Sequence, residues 1–147
     1  MANSVKIATP SAAGTWPDCF ANVNGIPPGD AYPPNGDFYR ITNKQNPTRK
    51  CLASDYDKDP DLLDMRSGLQ LICSYGVSVQ NTIEGARLTV GRFKNATQRR
   101  YIAKGSLSGE VGRVKQTFQA EYHHTLWTFK GVEIHKYFSC VEVVEPK

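Results

Sequence analysis

The chain has 147 residues, 39% of them hydrophobic and 10% aromatic, with four cysteines and a net charge of +4. That is enough chain for one domain with its own core, and the composition excludes a disordered or collagen-like polymer. No run approaches the roughly 18 apolar residues that a membrane span needs, so no membrane partner is expected.

The amino end, MANSVKIATPSAAG, lacks a charged start followed by an apolar block, so no signal peptide is visible. Such an end also suits a mature secreted chain whose leader has been removed. Residues 1–36 read as a proline-rich arm, because Pro10, Pro17, Pro27, Pro28, Pro33 and Pro34 forbid long regular structure. Trp16, Phe20 and Tyr32 are too apolar for a free tail, so much of the arm is expected against the body. Residues 37–147 then form a single domain.

DFYRITN (37–43) predicts the first strand, with Phe38, Arg40 and Thr42 on one face and Tyr39 and Ile41 on the other. DPDLLDMRSGLQLICSYG predicts the main helix. Asp59 suits the N-cap, Pro60 the first helical position and Asp61 the positive end of the dipole. Leu62, Met65, Leu69, Ile72 and Cys73 then make one apolar stripe, which Gly76 closes. After Gly76 the period shortens. VSVQNTI, ARLTVGRF, RRYIAKG, GRVKQTFQAEY, HTLWTFKG and IHKYFSCVEVV read as short strands between Gly, Asn and Ser turns. The expected class is α+β, one helix packed on a mainly antiparallel sheet. An all-β sandwich or barrel with one helix is the alternative.

Cys19, Cys51, Cys73 and Cys140 are widely spaced and contain no CxxC pair, which argues against zinc. Two disulfides in an oxidising compartment are the preferred expectation over buried free thiols, with three connectivities open. Asn95 heads the only acceptable glycosylation sequon, since proline blocks the one at Asn46. No GxGxxG, P-loop, HExxH or GxSxG is present, so no cofactor is expected. The acidic run Asp55–Asp64 lacks the central glycine and terminal glutamate of a calcium loop. His123, His124 and His135 with Glu121 or Glu133 would be the only metal set, and none is expected.

Charge is uneven along the chain. Residues 85–140 hold ten Lys or Arg against three acids, a net +7, which leaves −3 for the rest. Such a segment suits a polyanionic partner, nucleic acid above all, or an acidic protein surface; a solvated basic half is the plain alternative. Within it, EYHHTLWTFKG (121–131) collects an acid, two histidines, a tryptophan and a lysine. On strands, Arg113, Lys115, Thr117, Gln119 and Glu121 would share one face, with His123, Thr125 and Trp127 in the same parity. Glu133, His135, Tyr137 and Ser139 would share a face of the last strand.

Metal-free RNA cleavage needs a base, an acid and a cation on the phosphate. Glu121 as base, His123 or His135 as acid and Arg113 with Lys115 on the phosphate would supply that set. The plainer expectation is a solvated polar face without catalysis, binding RNA or protein through Arg99, Arg100, Arg113, Lys115, Tyr122, His123, Trp127 and Lys130. Aromatic residues amid basic ones suit stacking of unpaired bases. A carbohydrate-binding β-fold using Trp127, Phe129 and Tyr137 is a third possibility.

FYRI, the helix of DPDLLDMRSGLQLIC, GEVGRVKQTF with its Gly before Arg-Val, and KYFSCVEVV occur in an order that resembles the fungal microbial ribonuclease fold. Within that fold the chain is similar to the RNase-like secreted effectors that powdery mildews express in haustoria, over roughly residues 37–145. The resemblance implies a virulence or avirulence protein of a plant pathogen, secreted and then translocated into the host cytoplasm; a monomer is expected. Its implied partners are host RNA or host protein, with detection by a plant immune receptor, and its catalysis is lost. Ile41 stands where the family's signature cysteine belongs, so Cys51 or Cys19 would bridge to Cys140. The arm is longer than the family's, and the active enzymes' Tyr-Glu-Trp-Pro-like segment has no counterpart.

Overall fold

A computed structural model describes residues 14–93 and 97–146; the sequon at Asn95 lies outside them. Six strands form one antiparallel sheet: β1 (Gly36–Thr42), β2 (Val77–Gln80), β3 (Arg100–Leu107), β4 (Gly112–Gln116), β5 (His123–Thr128) and β6 (Phe138–Val144). Their order is β4-β5-β2-β1-β3-β6. Helices α1 (Asp55–Lys58), α2 (Gly68–Cys73) and α3 (Ile83–Gly91) complete an α+β architecture. The sheet is open, with β4 and β6 at its edges, and is neither a sandwich nor a barrel. Among the described residues no helix is long and apolar enough to cross a membrane.

β1 and β3 pair along their whole length, from Gly36↔Leu107 to Thr42↔Tyr101. β4 and β5 form a hairpin from Gly112↔Thr128 to Gln116↔His124. By contrast, β1 and β2 share the one register pair Tyr39↔Gln80. One apolar cluster gathers Phe38, Val79, Ala103, Val114, Leu126 and Phe138. A second gathers Phe20, Leu63 and Tyr75 around Trp127, which is fully enclosed and donates its indole N–H to Ile72 O at 3.1 Å. Trp16 stacks on Phe20 at 5.5 Å and meets Phe129 at 4.5 Å. Tyr32 exchanges both backbone bonds with Val114, at 2.9 and 2.7 Å, so residues 14–35 cover this face and the β4 edge.

The single long helix expected after Asp59 is instead two short pieces. Asp59 does cap, its side chain accepting from Asp61 N at 3.2 Å, and Pro60 opens a 3-10 turn that ends at Met65. Arg66 and Ser67 are then extended, and Gly68 enters α2 at φ +58, a left-handed value that glycine adopts freely. The apolar stripe that predicted the helix is not buried as one face: Leu62, Met65 and Leu69 are 51%, 95% and 41% exposed. The break lets Arg66 turn inward, where Nη1 donates to Asp55 Oδ2 at 2.7 Å and Ser74 Oγ at 2.8 Å.

ARLTVGRF, expected as a strand, lies largely in the longest helix. Thr82 caps α3 by accepting from Gly85 N at 2.9 Å, and Ala86 and Val90, four apart, are buried. Helix α3 packs on β1, β2 and β3. Gly85 is required by close approach, because a Cβ there would collide with Tyr122. Two expected strands are also shorter than read. GRVKQTFQAEY leaves the sheet after Gln116, and Phe118 turns at φ 61. Ile134–Tyr137 is a 3-10 turn before β6, so His135 and Tyr137 do not share a strand face.

The four cysteines are free thiols, contrary to the two-disulfide expectation. Cys51 sits with Thr48 and Asn43, and Cys140 donates to Glu142 O. Cys19 and Cys73 both pack at the margin of the Trp127 cluster without a bond between them. Cys140 therefore has no bridge to Cys51 or Cys19.

Truncating Trp127 to alanine removes the centre of the second cluster and is expected to cost about 3–5 kcal/mol. Met65→Ala, from the predicted helical stripe but exposed, is expected to stay within about 0.5 kcal/mol. Urea unfolding of the two variants checks both values.

Candidate functional site

A cavity of about 240 Å³ opens where β1, β2 and β5 meet the α1–α2 segment. Arg40 reaches it from β1, Ser78 from β2, and His123 and Thr125 from β5; Asp55 and Arg66 line the other side. Ser78 pairs directly with Thr125 and Gln80 with His123, so alternation places Ser78, His123 and Thr125 on one sheet face.

Arg40 is fixed by two carbonyls. Its Nε donates to Cys51 O at 3.1 Å and its Nη1 to Ser78 O at 2.8 Å. The rest of the guanidinium fork has no protein acceptor among the described residues. Burial draws its pKa below the ordinary value, while nearby Asp55 and Cys51 oppose that.

His123 is held at both ring nitrogens, Nε2 to Ser78 Oγ at 2.6 Å and Nδ1 to Thr117 Oγ1 at 2.9 Å. Thr117 Oγ1 also meets Thr125 Oγ1 at 2.8 Å. Burial lowers the His123 pKa, its Thr117 backbone partner opposes, and His124 and Arg40 lower it further. The imidazole is therefore biased toward its neutral form near Arg40, and its partners among the described residues are hydroxyls and no carboxylate. Without a carboxylate to stabilise an imidazolium, Ser78 lacks the charge partner that activates a nucleophile in a triad. Both ring nitrogens being engaged, the donors left for an anion in this cavity are the remaining guanidinium N–H groups of Arg40 and Arg66.

The sequence-predicted catalytic set is not assembled. Only His123 lines this cavity. Glu121 is exposed in the β4–β5 turn, and His135 lines a separate cavity with Arg49, Lys50 and Glu133. Arg113 donates to Gly109 O and Gly112 O and lies over the Phe129 ring at 5.2 Å.

The predicted binding residues scatter likewise, and most of the cations are neutralised by distant acids. Lys115 pairs with Asp30, Lys130 with Asp18 and Arg99 with Glu145. Arg100 lies over Phe93 and donates to Gln98. Tyr122 packs under Gly85 with its hydroxyl enclosed and unpartnered among the described residues. Trp127 and Phe129 are buried, so neither stacks on a base or a sugar, and of the proposed sugar platform only Tyr137 is exposed. The polar side of β5 is not a solvated face either: His123 and Thr125 face the cavity, and His124, Thr125, Leu126 and Trp127 are all buried.

Sequence reasoning missed Arg40, Arg66, Ser78 and Phe118 as site residues. Arg40 carried a signal: it alternates between Phe38 and Thr42, both buried. Phe118, 52% exposed at the cavity, meets His123 edge-on at 5.3 Å. No group of three or more His, Cys, Asp or Glu among the described residues is placed to hold a metal ion.

His123 and His124 both have pKa values lowered by burial from an ordinary 6.5. A depressed folded value means that the unfolded chain binds more protons, so stability falls as pH drops from about 6.5 through the lower folded values. The carboxylates held low, Asp30, Asp37, Glu133 and Glu142, titrate below that window. The melting temperature is therefore expected to fall between pH 7 and pH 5, and less steeply in His123→Gln and His124→Gln, as thermal melts followed by circular dichroism would show. Compared with protein-family models, curated proteins and solved structures, the chain matches none.

Proposed function

We propose that this protein binds single-stranded RNA through the cavity on β1, β2 and β5 and does not cleave it. The observation that carries the proposal is the one cavity that Arg40 and the Asp55-paired Arg66 line together with His123, beside the exposed ring of Phe118. The guanidinium fork suits a phosphate, and an exposed aromatic at the cavity mouth suits a stacked, unpaired base. Cleavage would need an acid and a base around one phosphate, and Glu121, His123 and His135 are dispersed.

A ribonuclease-like scaffold without catalysis, secreted as a plant-pathogen effector and acting on host RNA, fits these features, with host protein and an immune receptor as further partners. Its support is the four-motif resemblance together with a polar cavity on an antiparallel sheet next to short helices. The helix that carries part of the resemblance is interrupted at Arg66, and the interruption brings the Arg66–Asp55 pair to the cavity wall.

Fluorescence anisotropy with labelled single-stranded RNA in EDTA, at two salt concentrations, tests the proposal, with a denaturing gel of the same samples. Salt-weakened binding with intact RNA is expected. Phe118→Ala should weaken binding by about 1–3 kcal/mol, the worth of one base stack, and Arg66→Gln by about tenfold. RNA shortened on the gel, or binding unchanged in both variants, would overturn it.

A further inference from the structure

A second cavity, of about 550 Å³, lies beside the loop that follows β1. It is lined by Arg40, Lys44, Lys50, Lys58 and Arg100, and by no aspartate or glutamate. The five come from four places in the chain: β1, the 43–51 loop, the end of α1 and the start of β3.

None of these five enters an ion pair among the described residues. Of the other described lysines and arginines, only Arg92 and Arg113 share that condition, and Arg113 is committed to two carbonyls. Among the described residues, eight of the fifteen lysines and arginines thus meet carboxylates, and five of the other seven line this one cavity. Like charges gathered in one cavity repel one another, a cost that a bound anion removes. Lys58 registers this crowding: burial pushes its ammonium below the ordinary value and Arg40 adds to that, with Lys50 contributing and Asp55 opposing.

The loop carrying Lys44 and Lys50 is pinned rather than loose. Thr42 Oγ1 donates to Lys44 O at 2.8 Å, Cys51 N donates to Thr48 Oγ1 at 3.4 Å, and the Cys51 thiol lies 3.6 Å from Asn43 Oδ1. Arg40 is pinned by its two carbonyls. Ordering Arg40 and the loop backbone before a ligand arrives lowers the entropy lost on binding.

We propose that this cavity is a binding site for clustered phosphate groups, such as those of a linear oligophosphate, distinct from the RNA cavity and sharing only Arg40 with it. A single phosphodiester carries one charge and would leave most of the five cations unmatched. Two or three adjacent phosphates match them, with the guanidinium groups of Arg40 and Arg100 supplying forked donors and the three lysines point charges.

Isothermal titration of the full chain with inorganic tripolyphosphate tests the assignment. Saturable binding is expected, falling at least tenfold in affinity in the double variant Lys44→Gln/Lys58→Gln. The double variant Lys130→Gln/Lys136→Gln removes the same net charge from exposed lysines outside the cavity and should stay within about twofold. Arg66→Gln, which lines only the RNA cavity, should also bind tripolyphosphate normally, so a failure of the RNA proposal leaves this one separately readable. Equal losses in the two lysine doubles would mean a general charge effect and overturn the site, as would absence of saturable binding by the parent chain. Circular dichroism of each double variant establishes that it is folded before titration.

Discussion

The Arg40 guanidinium occupies the place where the sheet runs out of main-chain bonds. β1 and β2 share one register pair, Tyr39↔Gln80, and beyond it the strands diverge. Arg40 spans the gap by donating to Ser78 O on β2 and to Cys51 O in the 50–52 turn. An unmade bond to a buried carbonyl costs about 1–3 kcal/mol, so a side chain with several donors is a fitting substitute for a ladder. The first cavity lies at this divergence, lined from both strands by Arg40 and Ser78, and Arg40 also lines the second cavity beside the loop that follows β1.

Charge read along the chain differs from charge read in space. The segment 85–140 is strongly basic, yet Arg87, Arg99, Lys104, Lys115 and Lys130 meet acids from outside it: Glu142, Glu145, Asp37, Asp30 and Asp18. These pairs are mostly exposed and each contributes little to stability. Their collective effect is to quiet the basic half. A cluster without ion pairs among the described residues lies instead around Arg40, Lys44, Lys50 and Lys58, inside the part of the chain whose net charge is negative, joined by Arg100 from the basic segment. A linear tally cannot see this, because pairing over long sequence separations is set by the order of strands in the sheet.

What the residues revealed locally was largely right, and what depended on tertiary context was not. β1, the Asp59 cap, Pro60 at the start of a turn and the α+β class were all legible, since each is written in a few adjacent side chains. The helix after Pro60 matched its period and still broke, because Gly68 tolerates a left-handed backbone and Arg66 gains Asp55 and Ser74 by leaving the helix. α3 was hidden by Thr89 and Val90, whose branched side chains favour strands in isolation; its Thr82 cap and the Ala86–Val90 spacing were the overlooked signals. In the candidate site, His123 was identified and its neighbours were not. Their assembly depends on β5 lying beside β2, a pairing across more than forty residues that no local pattern encodes.

The bridge from Tyr32 to Val114 has a consequence for how the molecule meets others of its kind. By occupying backbone groups along β4, it leaves β6 as the sheet's principal open margin. An open margin is a template on which a foreign strand can grow, and proteins protect such margins with charge. On β6, Val141 and Val143 are half exposed, but Glu142 lies between them, tied to Arg87, and Glu145 follows, tied to Arg99. A strand laid flat against β6 would have to desolvate those carboxylates. The same acids that quiet the basic segment therefore also discourage stacking of one sheet onto the next, so solubility and charge neutralisation are served by a single set of side chains.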